Sequence, residues 1–299
     1  MLRAPHGRKI VIGMGDDAAA WRPSRSHLSV ISTDALVENV HFRLGEATLE
    51  EIGYRACAAN VSDIAAMGAR PVLATVAIGL PQRIEPDDVL EIYRGIDRLA
   101  RSVKIEIAGG DIVRSAELFI SLTVVGEVSP TSLKRRSGAR VNDVAAVTGP
   151  LGASRAALES KAHHLPPPRV AEGMWLARSR SVHAMMDISD GLSTDLARMA
   201  VASNCGAIVD QIPVAETARK FAISRGEDAQ RFAAAGGEDF ELLAAIAPRA
   251  FNYLSGRFRK RFGRPLLRVG VFREEAGIER VGGGEPLPAG WDHLRCPGS

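Results

Sequence analysis

The sequence is short of aromatic side chains, of cysteine and of long apolar runs, and each shortage excludes something. Phe, Trp and Tyr together make up 5% of the 299 residues, while Ala and Gly are abundant. That balance suits closely packed α/β layers better than a β-sandwich. Three cysteines occur, Cys57, Cys205 and Cys296. None forms a CxxC pair, and an odd count argues against a disulfide framework. Cys57 and Cys205 read as small core residues. There is no apolar run long enough to span a membrane, and MLRAPHGRK at the start carries no apolar signal region. A reducing, cytoplasmic setting is the expectation. The net charge is only +3, so no general attraction to nucleic acid or membrane follows. GxxxxGK[ST] is missing, as are HRD and DFG, which excludes P-loop and protein-kinase folds.

What is there begins with 46% hydrophobic residues, enough for a sizeable core in one large domain or two of about 150 residues. Strands are expected at Lys9–Ile12, Leu28–Ile31, Leu36–Phe42, Pro71–Gly79, Ile105–Ala108 and Leu118–Val128. Helices are expected at Leu49–Met67 and Asp87–Val103, from Ile52, Ala56, Ala59 and Ile64 and from Val89, Ile92, Ile96 and Leu99 at helical spacing. Composition shifts around Ser129–Asn142, so the domains are set at 1–138 and 139–299. The second half reads as strands at Val144–Thr148, Val182–Met186, Ala207–Asp210, Phe240–Ile246 and Arg268–Phe272. Helices fall at Leu151–Ser160, Val170–Arg178, Leu192–Ser203 and Phe251–Phe262. Without strict βα alternation, the class is α+β, with mixed sheets packed against helices.

The chemistry lies in acidic turns. Met186-Asp187-Ile188-Ser189-Asp190-Gly191 places two carboxylates three residues apart at the end of an apolar run. Apolar runs that give way to Gly and Asp recur at Gly15-Asp16-Asp17, Ser32-Thr33-Asp34 and Gly109-Gly110-Asp111. For any single Asp, a turn residue or helix N-cap is the ordinary explanation. Recurrence weakens it, and Asp63 resists it most. In NVSDIAAMGA that residue sits within an apolar helix, where a lone carboxylate is costly. Asp17, Asp34, Asp63, Asp111, Asp187 and Asp190 therefore read as ligands of Mg²⁺, a hard cation shared between carboxylates and substrate phosphates, with Ser32, Thr33 and Ser189 adding oxygens. Gly13-x-Gly15-x-x-Ala18 with Asp34 also matches a dinucleotide fingerprint. Asp16 and Asp17 would repel a bare pyrophosphate there, an objection that a bridging metal removes. Arg136, in Lys134-Arg135-Arg136, is the cation best placed for phosphate. The run Arg257–Arg261 reads as a solvated helix face, and His163 and His164 lack a third metal ligand. His41 is a lone histidine among apolar residues. Trp291 either caps the core or stacks on an aromatic ligand.

Taken in order, GMGDDAA, STDALVENVHF, NVSDIAAMGA, IAGGDIVRS, LKRRSGA, MDISDGLSTDL and GGEDFELL resemble the thiamine-monophosphate kinases. These belong to the ATP-binding superfamily that includes aminoimidazole ribonucleotide synthetase. The STD, GGD and DxSDG elements belong to the wider superfamily, whereas VHF and GGEDFEL point to the kinase branch. The resemblance implies a two-domain aminoimidazole ribonucleotide synthetase-like architecture, an ATP cleft between domains and a homodimer formed by the first. It implies phosphoryl transfer from ATP to thiamine monophosphate, giving thiamine diphosphate and ADP. Asp17, Ser32, Thr33, Asp34, Asp63, Asp111, Asp187 and Asp190 would hold several Mg²⁺ ions. Gly110, Asp111, Arg136 and Ser189 would contact ATP, with Tyr93 a neighbour of the nucleotide. His41 and Glu238 would contact thiamine monophosphate, and Trp291 would stack near its ring. Asp187, Asp190 and Arg136 would be the catalytic residues. Two alternatives stay open: a related enzyme acting on another small phosphorylated substrate, and a non-catalytic nucleotide-binding protein.

Overall fold

In the computed structural model, residues 10–12, 16–21, 26–281 and 285–290 are described. In chain order they form β1 (Ile10–Ile12), β2 (Ala19–Trp21), β3 (Leu28–Val37), α1 (Leu49–Ala66), β4 (Arg70–Leu80), α2 (Pro86–Val103), β5 (Glu106–Arg114) and β6 (Phe119–Val128). Then come β7 (Val144–Val147), α3 (Ala153–Ser160), α4 (Val170–Ala177), β8 (Val182–Asp187), α5 (Leu192–Ala202), β9 (Gly206–Val209), α6 (Glu216–Ser224) and α7 (Ala229–Ala234). The last are β10 (Leu242–Ile246), α8 (Pro248–Phe262), β11 (Leu267–Arg273) and β12 (Ile278–Arg280). No described helix is long and apolar enough to cross a membrane.

The chain divides into two compact units, Met1–Leu133 with His163–Arg178, and Lys134–Ala162 with Ser179–Ser299. This differs from the expected division after residue 138 in two ways. Lys134 is buried in the second unit, where its ammonium donates to the carbonyls of Ser179 (2.9 Å) and Val182 (2.6 Å). The segment carrying α4 returns to the first unit, where α4 packs on α1 and His163 Nδ1 lies 2.6 Å from Glu51 Oε1. Each unit holds a six-stranded mixed sheet, as the α+β expectation requires. In the first the order is β1-β2-β3-β6-β4-β5, antiparallel except for β4 with β5. In the second it is β12-β9-β11-β7-β10-β8, antiparallel except for β12 with β9.

The first unit is built around α1. A helix buried nearly all round belongs inside a domain, and α1 packs against α2, β3, β6 and α4. Thr48 and Glu51 close a capping box at its start. The crossing with α2 is closer than side chains allow. A Cβ at Gly53 would lie 2.0 Å from the Ile92 carbonyl oxygen, and one at Gly95 would lie 1.8 Å from that of Glu50. On β6, Ile120, Leu122 and Val124 face this core, while the intervening Ser121 and Thr123 face the other side.

Two expectations fail here for the same reason, and a third fails in the opposite sense. Ser32, Thr33 and Asp34 do not end a strand, because β3 pairs with β6 from Leu28↔Val128 through Val37↔Phe119. Gly109, Gly110 and Asp111 likewise lie inside β5, paired to β4 from Thr75 to Ala77. The stretch 38–42 is a turn and not a continuing strand. For the first two, ladder hydrogen bonds over a whole sheet outweigh the local turn preference of Asp and Gly, whereas Asn39, at a positive φ, turns the chain after β3. In the second unit, α6 and α7 are helices that periodicity did not reveal. They pack Ala218, Ala222 and Phe232 with Ala156 of α3.

Glu38, just after β3, shows how the first unit closes its edge. Its buried carboxylate accepts from the Leu118 amide at 3.1 Å and pairs with Arg83, which also reaches Glu117. Burial pushes the Glu38 carboxyl up, but Arg83 and the Leu118 amide outweigh it and hold the group below its ordinary value. Glu38→Ala strands that amide and should cost about 1–3 kcal/mol. Glu38→Gln keeps an acceptor and should cost less. Urea melts of the two variants beside the parent check the order.

Candidate functional site

In the first unit the acidic group forms between β3, α1 and the turn before β2. Strand alternation puts Ser32 and Asp34 on the face toward α1. Ser32 donates a short hydrogen bond to Asp63 Oδ2, and Asn60 Oδ1 accepts from the Asp34 amide at 2.9 Å. Asn60 is fully buried and anchors itself through Nδ2 to the Ala56 carbonyl one turn back. Carboxylate oxygens of Asp17 and Asp63 lie within 4.8 Å of each other. Two half-buried carboxylates that close, beside a hydroxyl, suit a hard cation such as Mg²⁺.

Register sends other predicted residues elsewhere. Thr33 points to the opposite face, where it donates to the Leu122 carbonyl at 2.9 Å and pairs with the Thr123 hydroxyl at 3.0 Å. Asp111 shares that face, in a row with Ala77, Ser121 and Ala35. It is exposed, and its Oδ1 accepts from the Ile112 amide at 2.9 Å. Gly110 must be glycine: a Cβ there would lie 1.8 Å from the Val76 carbonyl oxygen. His41 is half-buried in the turn after β3. Its Nδ1 accepts from the Val37 amide at 3.0 Å, which leaves the ring proton on Nε2. Arg55 of α1 donates to the His41 carbonyl at 3.2 Å. Tyr93 is half-buried on α2, and burial raises its phenol.

In the second unit the two predicted motifs form one structure. Strand β8 ends at buried Asp187, opposite Leu242 of β10. The chain then turns through Ser189 and Asp190 into α5. Beside it, residues 236–241 lead into β10 with Glu238 and Phe240 at positive φ. Three backbone bonds join the turns: Glu238 amide to Ser189 carbonyl (2.7 Å), Phe240 amide to Ile188 carbonyl (3.0 Å) and Ile188 amide to Glu241 carbonyl (2.8 Å). Gly237 lets them meet, since a Cβ there would lie 2.7 Å from the Ser189 carbonyl oxygen. Arg136 is half-buried, and its backbone lies at the end of α5, where the Ser203 hydroxyl is 3.4 Å from its carbonyl. Trp291 lies outside the described residues.

Several functional candidates escaped sequence reading. Asp195 of α5 is fully buried and accepts from the amides of Ser189 (3.1 Å) and Asp190 (3.0 Å). Burial first, then Asp187 and Asp190, push its carboxyl up to about 7 against the pull of Arg198. Arg198 bridges Asp190 and Asp195. Asp239 is buried and accepts from the Gly152 and Ser154 amides, and burial pushes it up to about 7. The available signal was an Asp in the first turn of a helix, at 195, and an Arg three residues on.

The N-terminal domain model of AIR synthase related proteins matches residues 15–128, and the C-terminal domain model matches residues 141–247. A thiamine-monophosphate kinase of Rhodopirellula baltica is 39% identical over 228 residues, 73% of this chain and 70% of that protein. Among solved structures, AaThiL complexed with AMPPCP and TMP superposes with a TM-score of 0.83 at 29% identity, covering 94% of this chain and 92% of that one. The thiamine-monophosphate kinase of Stenotrophomonas maltophilia superposes with a TM-score of 0.79 at 32% identity, covering 93% of each chain.

Asp17 and Asp63 repel each other without a cation, so Asp63→Asn should melt no lower than the parent in metal-free buffer. Mg²⁺ should raise the melting temperature of the parent, and the variant should lose most of that rise. Thermal melts with chelator and with saturating Mg²⁺ measure both effects.

Proposed function

The chain belongs to the thiamine-monophosphate kinase family, and we propose that it transfers the γ-phosphoryl group of ATP to thiamine monophosphate, giving thiamine diphosphate and ADP. The observation that carries this reading is the joined pair of turns in the second unit. The family's ATP-side motif, Asp187 to Gly191, and its substrate-side motif, Gly236 to Leu243, are held together by backbone hydrogen bonds. The relative solved with AMPPCP and TMP supports the same pair of substrates.

The acceptor is already an ionised phosphate, so the reaction needs no strong general base. What it needs is alignment of two anions and neutralisation of the charge between them. Bound Mg²⁺ would supply that neutralisation. The donor set is the right kind for it: carboxylates and hydroxyls, hard oxygen ligands. Asp17, Ser32, Asp34 and Asp63 of the first unit, and Asp187 and Asp190 of the second, would hold the ions. Asp111 would add a carboxylate from the exposed edge strand, and Thr33 a backbone oxygen. Gly110, Ser189 and Arg136 would contact ATP, with Tyr93 near the nucleotide. His41 presents an Nε2 proton, and Glu238 a carboxylate, for thiamine monophosphate, with Trp291 near the ring. Transfer is in line and without a covalent enzyme intermediate, with Asp187, Asp190 and Arg136 carrying most of the effect. Free, buried Cys57 and Cys205 fit a reducing, cytoplasmic setting.

The first unit also supports a homodimer. All nine residues of edge strand β5 are exposed, among them the apolar Ile107, Ile112 and Val113. An uncovered apolar edge of that length is a template for another chain, and a second copy is the occupant we propose.

Incubation with ATP, Mg²⁺ and thiamine monophosphate should yield thiamine diphosphate and ADP in equal amounts. Asp187→Ala and Asp190→Ala should each lower turnover at least about a hundredfold while thiamine monophosphate binding changes little. Normal turnover in both variants overturns the assignment. Light scattering after gel filtration should give twice the chain mass, and Ile112→Asp should move the protein toward monomer.

A further inference from the structure

The turn that carries Ser189 and Asp190 is held from inside the second unit by groups that the phosphoryl-transfer reading does not use. The fully buried Asp195 directs Oδ2 at two consecutive amides, those of Ser189 (3.1 Å) and Asp190 (3.0 Å). Its Oδ1 accepts from Arg198 Nη1 at 2.9 Å. The same guanidinium donates a short hydrogen bond to Asp190 Oδ2. The other side of the turn is fixed as well, because the Ser189 carbonyl accepts from the Glu238 amide at 2.7 Å. Asp190 is thus tied to α5 twice, through its backbone by Asp195 and through its carboxylate by Arg198.

The choice of residue types is informative. A carboxylate can receive two amides and a guanidinium at once, which a hydroxyl at position 195 cannot. Burying that carboxylate beside Asp187 and Asp190 is unfavourable, and an arginine on the next turn of α5 offsets it. The Arg198 side chain is 43% exposed, so it reaches the turn from the surface. A helix N-terminus capped only for its own sake needs neither the second carboxylate nor the arginine.

We propose that Asp195 and Arg198 are positioning residues for the metal- and phosphate-binding turn. Asp195 sets the Ser189–Asp190 peptide, and Arg198 sets the Asp190 carboxylate, so that it meets the cation in one orientation. This rests on the kinase reading for its meaning but not for its test.

Four variants decide it: Asp195→Asn, Arg198→Gln, Arg198→Lys and, as control, Asp143→Asn. Asp143 is also buried in the second unit, where it accepts from the Arg140 amide and pairs with His183 away from the turn. Calorimetric titration of Mg²⁺ in the presence of a non-hydrolysable ATP analogue reads cation affinity directly. Asp195→Asn and Arg198→Gln should weaken it about tenfold or more, the usual cost of removing a group that orients a metal ligand. Arg198→Lys should recover most of the loss. Asp143→Asn should lower the melting temperature without moving the Mg²⁺ affinity. In turnover, kcat should fall for Asp195→Asn while KM for thiamine monophosphate stays within about twofold. The proposal fails if Asp195→Asn leaves Mg²⁺ affinity unchanged or shifts it no more than the control does. It fails equally if Arg198→Gln binds Mg²⁺ like the parent, or if Arg198→Lys does no better than Arg198→Gln. Should Asp195→Asn not fold, the exposed position 198 still decides the matter. A parent protein that makes no thiamine diphosphate refutes the kinase reading alone, because the binding titration stands without it.

Discussion

Carboxylates gathered more closely than water can screen them are the constraint on which both units depend. Such a group stays charged only if amides, hydroxyls, a guanidinium or a metal ion meet it. The two units meet this demand differently. In the first, Asp17 and Asp63 approach within 4.8 Å, and the Ser32 hydroxyl covers one oxygen of Asp63. Two like charges that close are drawn toward a hard cation, which would offset their repulsion. In the second, Asp190 and Asp195 share Arg198, and two amides cover Asp195. The second unit holds its negative charge in a fixed frame of one guanidinium and two amides.

Placing Asp63 inside the first unit requires α1 to be buried on nearly every side, and the scarcity of aromatic residues makes that possible. Small residues let the layers close up. Gly53 and Gly95 bring α1 and α2 together backbone to backbone, and Ala56, Ala58, Ala65 and Ala66 fill what remains. Larger side chains at these points would push the helix off the sheet and carry Asp63 away from Ser32. The low aromatic content that suits α/β layers better than a β-sandwich is thus also a condition for the geometry of the acidic group.

Much of this was legible in the residues. The α+β class, the mixed sheets and most helices follow from periodicity, because burying one face of an element leaves its period in the sequence. The family followed from seven motifs in order. What stayed hidden depends on partners distant in the chain. Whether Ser32-Thr33-Asp34 ends a strand is decided by ten paired residues on β6, not by the triplet itself. That same pairing splits the triplet between two faces, so Thr33 leaves the group that Ser32 and Asp34 join. Asp111 was read as a turn residue and lies within an exposed strand for the same reason. Asp195 is four residues beyond Gly191, in a helix where an acidic first turn is ordinary. Only the fold shows that its oxygens point back at the turn.

The joining of the two turns in the second unit bears on how substrate choice and phosphoryl transfer are related. Glu238 adopts a positive φ, a conformation that costs a non-glycine residue energy and needs support from its surroundings. The support is visible: its amide is bonded to the Ser189 carbonyl, and its own carbonyl accepts from the Ser154 hydroxyl at 2.7 Å. The neighbouring Asp239 is anchored to the Gly152 and Ser154 amides. A residue read as facing the acceptor is therefore held by the very peptide that precedes Asp190. Movement of the Ser189–Asp190 peptide would shift Glu238 with it, and strain at Glu238 would be felt at Asp190. For a reaction that depends on aligning two phosphates without a general base, this linkage is useful. The turn proposed to face the acceptor and the turn that carries Asp190 are tied by a direct backbone hydrogen bond.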